Sequence, residues 1–238
     1  MERKAVKLLG FDIDTFGFES AISFAKNLIE TKKGGQIITI NPEMIELGLK
    51  NQEFAQILNN ADLVLPDGVG VKIGLKIKGI NTERIAGIEF SHRMIEECAK
   101  NNFSVALVGA KPHVIQKAAE NLKKEFKNLN IVYLQDGYFE KVEDVYWGLG
   151  EKNPQLILVA IGAPKQEIFI RNYRKDHPDA VMIGVGGSFD VWSGTVERAP
   201  EIYQKLGLEW LYRTAKEPHR IKRIFPTLPR FLLRALFS

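Results

Sequence analysis

This chain of 238 residues predicts an α/β architecture: a largely parallel sheet with helices on both faces, followed by a C-terminal helical appendage. Short apolar runs alternate with helix-patterned stretches from the start of the chain, the order that βαβ units produce. Most of these runs are continuously apolar, as strands covered on both faces are. After Pro200 the pattern changes to helical fragments punctuated by Pro218, Pro226 and Pro229. The first two observations describe a Rossmann-like sheet, and the third sets an appendage over 199–238 apart from a main domain over 1–198.

Taken in order, strands are expected at Val6–Leu9, Gln36–Ile40, Leu63–Leu65, Val105–Val108, Ile131–Leu134, Leu156–Ala160 and Val181–Gly184. Helices are expected between them at Glu19–Lys32, Pro42–Lys50, Gly68–Ile77, Ile88–Asn101, Pro112–Lys127 and Lys165–Lys175. In the fifth helix Ala118, Leu122 and Phe126 form an i, i+4, i+8 stripe. Pro112 there occupies a first-turn position that tolerates proline, and Asn128 marks a stop.

Hydrophobic content of 45% and charged content of 26% suit a soluble globular chain. The single cysteine, Cys98, excludes an intrachain disulfide, and its helical apolar setting makes it a buried packing residue. Lys7 and Asp12 interrupt any N-terminal apolar segment, and no run reaches the roughly 18 apolar residues of a membrane span. A cytoplasmic protein is therefore expected. The formal charge of +4 is unevenly spread: from Lys205 onward eight cations face two carboxylates, leaving the rest of the chain slightly acidic.

The most informative segment is Gly184–Pro200, where four glycines follow the apolar run Val181-Met182-Ile183. A bare backbone turning at a strand's C-terminal end lies where open α/β sheets bind ligands, and its N–H groups can approach a phosphate closely. Gly186, Gly187, Ser188 and Asp190 are the candidate contacts, Ser188 and Asp190 adding side-chain donors or acceptors beside the turn. Asp67 follows the third strand and precedes a helix; it can act as a base or cap that helix. At the usual carboxylate pKa of about 3.9 it would be ionised but weak as a base.

Thr39 and Asn41 end the second strand, where Asn41 can contact a ligand or serve as an N-cap. Arg84 is a candidate for bidentate contact with a pyrophosphate. Gly109-Ala-Lys111-Pro and Gly162-Ala-Pro-Lys-Gln166-Glu167 each close a strand and open a helix, a position that favours anions. Gln166 can bind sugar or phosphate, while Glu167 can instead stabilise the first helical turn. Tyr138 offers a stacking ring or a core aromatic. Asp12 and Asp14 form an Asp-x-Asp pair of the kind that can hold a metal, whereas the four histidines lack metal-ligand spacing; on balance no metal cofactor is expected.

The segments Thr39–Glu43, Leu65–Gly68, Glu83–Gly87, Gly109–Pro112, Asp136–Phe139, Gly162–Glu167, Glu209–Arg213 and Glu217–Arg220, in this order, resemble the WecG/TagA/CpsF glycosyltransferases over nearly the whole chain. The resemblance implies an inverting, metal-independent transfer of N-acetylmannosamine from UDP-N-acetylmannosamine. The acceptor would be N-acetylglucosamine on undecaprenyl pyrophosphate, the linkage β-1,4, and the product a precursor of wall teichoic acid or a related surface polymer. It aligns Asp67 with the general base and groups Thr39, Asn41, Arg84 and Gln166 with it. Another donor such as UDP-glucose, or a non-catalytic partner of a glycosyltransferase, stays open as an alternative.

The tail interleaves basic residues with Trp210, Leu211, Phe225, Phe231 and Phe237, a composition suited to an anionic membrane surface. No nucleic-acid motif accompanies it. The resemblance brings Arg213, Arg220 and Arg223 over the pocket to neutralise pyrophosphate and the departing UDP. Packing back on the main domain, or pairing of two copies into a homo-oligomer, are the structural alternatives for the tail.

Overall fold

The N-terminal residues turn back on themselves before the main sheet begins. In the computed structural model, which describes residues 3–205, 207–216 and 221–237, β1 (Ala5–Leu8) and β2 (Phe11–Asp14) form an antiparallel hairpin. Leu9 and Gly10 make its two-residue turn, both at positive φ. The first expected strand is therefore no member of the parallel sheet. Its partner was hidden because a leucine in the left-handed region is not a turn signal.

Six strands build the parallel sheet in the order β4-β3-β8-β7-β5-β6: β3 (Gly35–Ile40), β4 (Leu63–Pro66), β5 (Ser104–Gly109), β6 (Asn130–Gln135), β7 (Leu156–Ala160) and β8 (Val181–Gly184). Helices α1 (Phe18–Glu30), α5 (Gly87–Asn101), α6 (Pro112–Glu125) and α9 (Ser188–Trp192) cover one face. Helices α2 (Pro42–Gly48), α3 (Gln52–Asn59), α4 (Gly68–Ile77), α7 (Val142–Lys152) and α8 (Lys165–Arg174) cover the other. Ile37, Leu107 and Leu158 pack on the first face, their neighbours Ile38, Val108 and Val159 on the second. Two-sided burial explains the unbroken apolar runs. Helices α3 and α7 were not foreseen; Asn51 signals the first, its Oδ1 accepting the Phe54 N–H at 3.0 Å. Cys98 is fully buried, and desolvation pushes its thiol up to about 12.

The tail forms α10 (Glu201–Lys205), α11 (Glu209–Lys216) and α12 (Ile221–Phe237). Pro226 and Pro229 do not break the last helix, which runs through both. Its packing outweighs the cost of proline, with Phe231 and Ala235 fully buried in the core shared by Leu8, Ile40, Met44, Val71 and Leu75. Helix α4 accommodates it with glycines: a Cβ at Gly70 would lie 2.8 Å from Leu228 Cδ1, and one at Gly74 3.0 Å from Phe231 Cζ. Arg234 Nε meets the buried Glu46 carboxylate of α2 at 3.2 Å. Phe225, Leu233, Leu236 and Phe237 point outward.

Candidate active site

Along the C-terminal edge of β4, β3, β8 and β7 a cleft of about 820 Å³ opens between the turns after those strands. One wall comes from the tail: Gly207, Glu209, Trp210, Thr227 and Leu228 line it. The fold brings Thr39, Asn41, Asp67, Arg84, Gln166, Gly186, Gly187, Ser188 and Asp190 to this one cavity, from segments spread over 150 residues of chain.

Asp67 sits where β4 ends, its N–H donating to Ile40 O at 2.8 Å. It occupies the N-cap position of α4, but its side chain makes no cap hydrogen bond. Oδ2 instead accepts the Gly87 N–H at 3.2 Å. Burial in the cleft pushes the carboxyl up from its ordinary value to about 6, against the opposing pull of the Gly87 amide and the Arg84 charge. Glu209, from the tail, adds to the rise. The weak base expected from an ordinary aspartate is thereby brought close to neutrality, where general bases are effective. Gly87 is required by crowding: a Cβ there would come within 2.5 Å of Thr39 Oγ1. Thr39, Gly87 and Asp67 thus form one packed unit joining β3, α5 and β4.

Asn41 is the N-cap of α2, its Oδ1 accepting the Met44 N–H at 3.0 Å, so its carboxamide oxygen is engaged while the residue lines the cleft. Gln166 acts as a clamp. Its Oε1 accepts the N–H groups of Gly162 at 3.2 Å and Gly186 at 3.1 Å, tying the turn after β7 to the turn after β8. Its Nε2 donates to Glu167 Oε1 at 2.8 Å. Burial pushes the Glu167 carboxyl up to about 6, partly offset by Gln166 and its own main-chain amide. Ser188 donates its hydroxyl to Val185 O at 2.7 Å, fixing the glycine-rich turn, and Asp190 follows in the first turn of α9.

Three other candidates lie away from the cleft walls. Gly109 serves packing at the end of β5: at φ 122° it lets the backbone press against Ala160, where a Cβ would meet the carbonyl oxygen at 2.4 Å. Lys111 is exposed at the start of α6, and Tyr138 is 68% exposed in a turn capped by Asp136 Oδ1. All three belong to turns beyond β5 and β6, on the far side of the sheet edge from Asp67. Asp14 is wholly buried, binding Arg3 Nε at 2.7 Å and the Val64 N–H at 2.7 Å, and Asp12 pairs with Lys7 on the hairpin. Arg220, and the side chains of Arg213 and Arg223, lie outside the described residues.

Gly87, Glu167, Glu209 and Trp210 were not singled out as site residues, although each stands inside a motif quoted for the resemblance. What distinguishes them is packing and burial, which spacing does not reveal.

The sequence model of the glycosyl transferase WecG/TagA/CpsF family matches residues 6–238. A Bacillus spizizenii strain W23 protein named N-acetylglucosaminyldiphosphoundecaprenol N-acetyl-beta-D-mannosaminyltransferase is 34% identical over 238 residues, covering 99% of this chain and 91% of that protein. A Bacillus subtilis strain 168 protein of the same name is 37% identical over 212 residues, covering 89% of this chain and 82% of that protein. With its sheet, its cleft and a match along nearly its whole length, the chain belongs to the WecG/TagA/CpsF family of glycosyl transferases.

Proposed function

We propose that this enzyme transfers N-acetylmannosamine, with inversion, from UDP-N-acetylmannosamine to the N-acetylglucosamine of undecaprenyl-pyrophosphate-linked N-acetylglucosamine. The product would be a β-1,4-linked disaccharide for wall teichoic acid or a related surface polymer. The observation that carries the reading is Asp67, a carboxylate raised to about 6 in a cleft walled by glycine-rich turns and Arg84. The names of the two Bacillus relatives supply the sugar and the lipid.

In this mechanism the acceptor hydroxyl attacks the anomeric carbon while Asp67 takes its proton. The carbon–oxygen bond to the new sugar forms as the bond to the β-phosphate breaks, and UDP carries away the electron pair. Arg84 and the main-chain amides of the glycine-rich turn offset that charge, with the tail arginines completing the field and no metal required.

The described residues hold no helix long and apolar enough to cross a membrane. We place the enzyme instead on the inner membrane surface. The outward Phe225, Leu233, Leu236 and Phe237 of α12, with Arg230 beside them, support that docking.

The test is UDP release from UDP-N-acetylmannosamine, with and without a short-chain lipid-pyrophosphate N-acetylglucosamine, for wild type and Asp67→Asn. Acceptor-dependent release that the substitution lowers by about 10²–10⁴ is expected. A folded wild type inert toward this and other UDP-sugars would refute the reading.

A further inference from the structure

The Gln166–Glu167 pair holds one acceptor that the fold leaves unused. Three of the four polar side-chain atoms are engaged: Gln166 Oε1 by the Gly162 and Gly186 amides, Gln166 Nε2 and Glu167 Oε1 by each other. The fourth, Glu167 Oε2, is buried with no hydrogen-bond partner among the described residues. Glu167 is only 2% exposed, yet it forms part of the cleft wall. A buried carboxylate oxygen left unmatched is costly, and such an omission beside a binding cavity points to a ligand group.

The surroundings are built to keep the pair in place. Gly184, at the end of β8, has no side chain where one would intrude: a Cβ there would stand 2.5 Å from Gln166 Nε2 and 2.9 Å from Glu167 Oε1. The carboxylate is therefore pressed against the sheet edge inside the cleft, where a glutamate that served only its helix end would have no need to be.

An ionised carboxylate can only accept a hydrogen bond, and it repels phosphate oxygens. The group that satisfies it must carry an O–H or N–H. Gln166 ties the turn after β7 to the glycine-rich turn after β8, which the proposed mechanism sets against the departing diphosphate, so the sugar attached directly to that diphosphate is the part of the donor that comes next. We propose that Glu167 is a specificity-determining residue for the transferred sugar. Its Oε2 accepts a hydrogen bond from a hydroxyl or the acetamido N–H of the hexosamine, while its Oε1 holds the Gln166 amide. This rests on the reading that the cleft binds a nucleotide-linked sugar.

Glu167→Gln separates the two tasks, because the new carboxamide oxygen can still receive Gln166 Nε2–H while a donor NH2 replaces Oε2. Binding of UDP and of UDP-N-acetylmannosamine is measured by calorimetry, alongside steady-state transfer with the parent donor and its monodeoxy and deacetamido analogues. The expected result is unchanged UDP affinity and a kcat/KM for the parent donor lower by about 10- to 100-fold. A single analogue should lose by a similar factor in wild type and show no further loss in the variant. Equal weakening of UDP binding would place the contact on the nucleotide, and analogue losses of the same size in both proteins would remove it altogether; either overturns the proposal. Should Glu167→Gln melt far below wild type, Glu167→Asp, which keeps the charge but shortens the reach, is carried through the same series. A wild type that binds UDP-sugars without transfer would refute the catalytic reading alone and leave this contact to be decided by calorimetry. One that binds none would refute both.

Discussion

Gly87→Ala adds one methyl group at the start of α5, at a backbone conformation that alanine adopts without strain. Its Cβ would stand 2.5 Å from Thr39 Oγ1 and 3.1 Å from Thr39 Cβ, two atoms of a residue held in β3 between β4 and β8. Restoring ordinary contact needs a shift of roughly 1 Å, shared between Thr39 and the Gly87 amide, and a misplacement of that size costs about 10²-fold in rate. That is about 2.7 kcal/mol of transition-state stabilisation. The same shift weakens the 3.2 Å hydrogen bond from Gly87 N to Asp67 Oδ2, which holds the Asp67 pKa down. The acid limb of the rate profile should therefore move to higher pH as the rate falls. Acceptor-dependent UDP release across pH 5–8, with thermal melts as the control for folding, measures both effects. A stable variant within threefold of wild type, with an unmoved acid limb, would refute the claim that Thr39, Gly87 and Asp67 act as one unit.

Wild-type kcat/KM should rise with pH through about 6 and then level, since Asp67 and Glu167 must both lose protons whose release burial makes harder; a flat profile from pH 5 to 8 would exclude Asp67 as base. Stability should run the other way. A carboxyl raised in the folded state binds its proton more tightly there, so its ionisation weakens the fold as pH climbs from about 4 through 6. Asp67→Asn should accordingly raise the melting temperature more at pH 7.5 than at pH 4.5, as differential scanning fluorimetry would show. Phe231→Ala, which empties a fully buried site against α4, should cost about 3–5 kcal/mol by urea denaturation; a loss under 1 kcal/mol would mean that the tail is not packed on the main domain.

The parallel sheet was legible because its strands are buried on both faces and so carry no polar alternation; Leu156–Ala160 and Val181–Gly184 fall where the apolar runs place them. The hairpin was not, since Leu9 contributes a positive φ that only the finished turn reveals. Asp67, Thr39 and Arg84 could be named from motifs, and the parallel pairing of β3 with β4 puts Thr39 beside Leu65, two residues before Asp67. Their collective behaviour was beyond the residues themselves. Whether Asp67 caps its helix depends on which amide reaches its carboxylate, and that amide belongs to Gly87, twenty residues on; the rise in its pKa comes from burial, which only the assembled cleft supplies. Gly109 shows a demand that spacing does not reveal: the backbone of Ala160 stands where a Cβ would go, so the position needs a glycine for packing, whatever its turn contacts.

The strand order has a consequence for how the enzyme comes into being. β8 is the last strand in the chain, yet it lies between β3 and β7 near the middle of the sheet. Until residues 181–184 are in place, β3 and β7 present open edges, the most association-prone surfaces a partly made α/β protein can offer. Long-range pairing of this kind is slow to form. It also means that Asp67 and Arg84 cannot face Gln166 and the glycine-rich turn in an N-terminal fragment. A ribosome-bound nascent chain therefore cannot complete its cleft until the strand that joins its two halves has emerged.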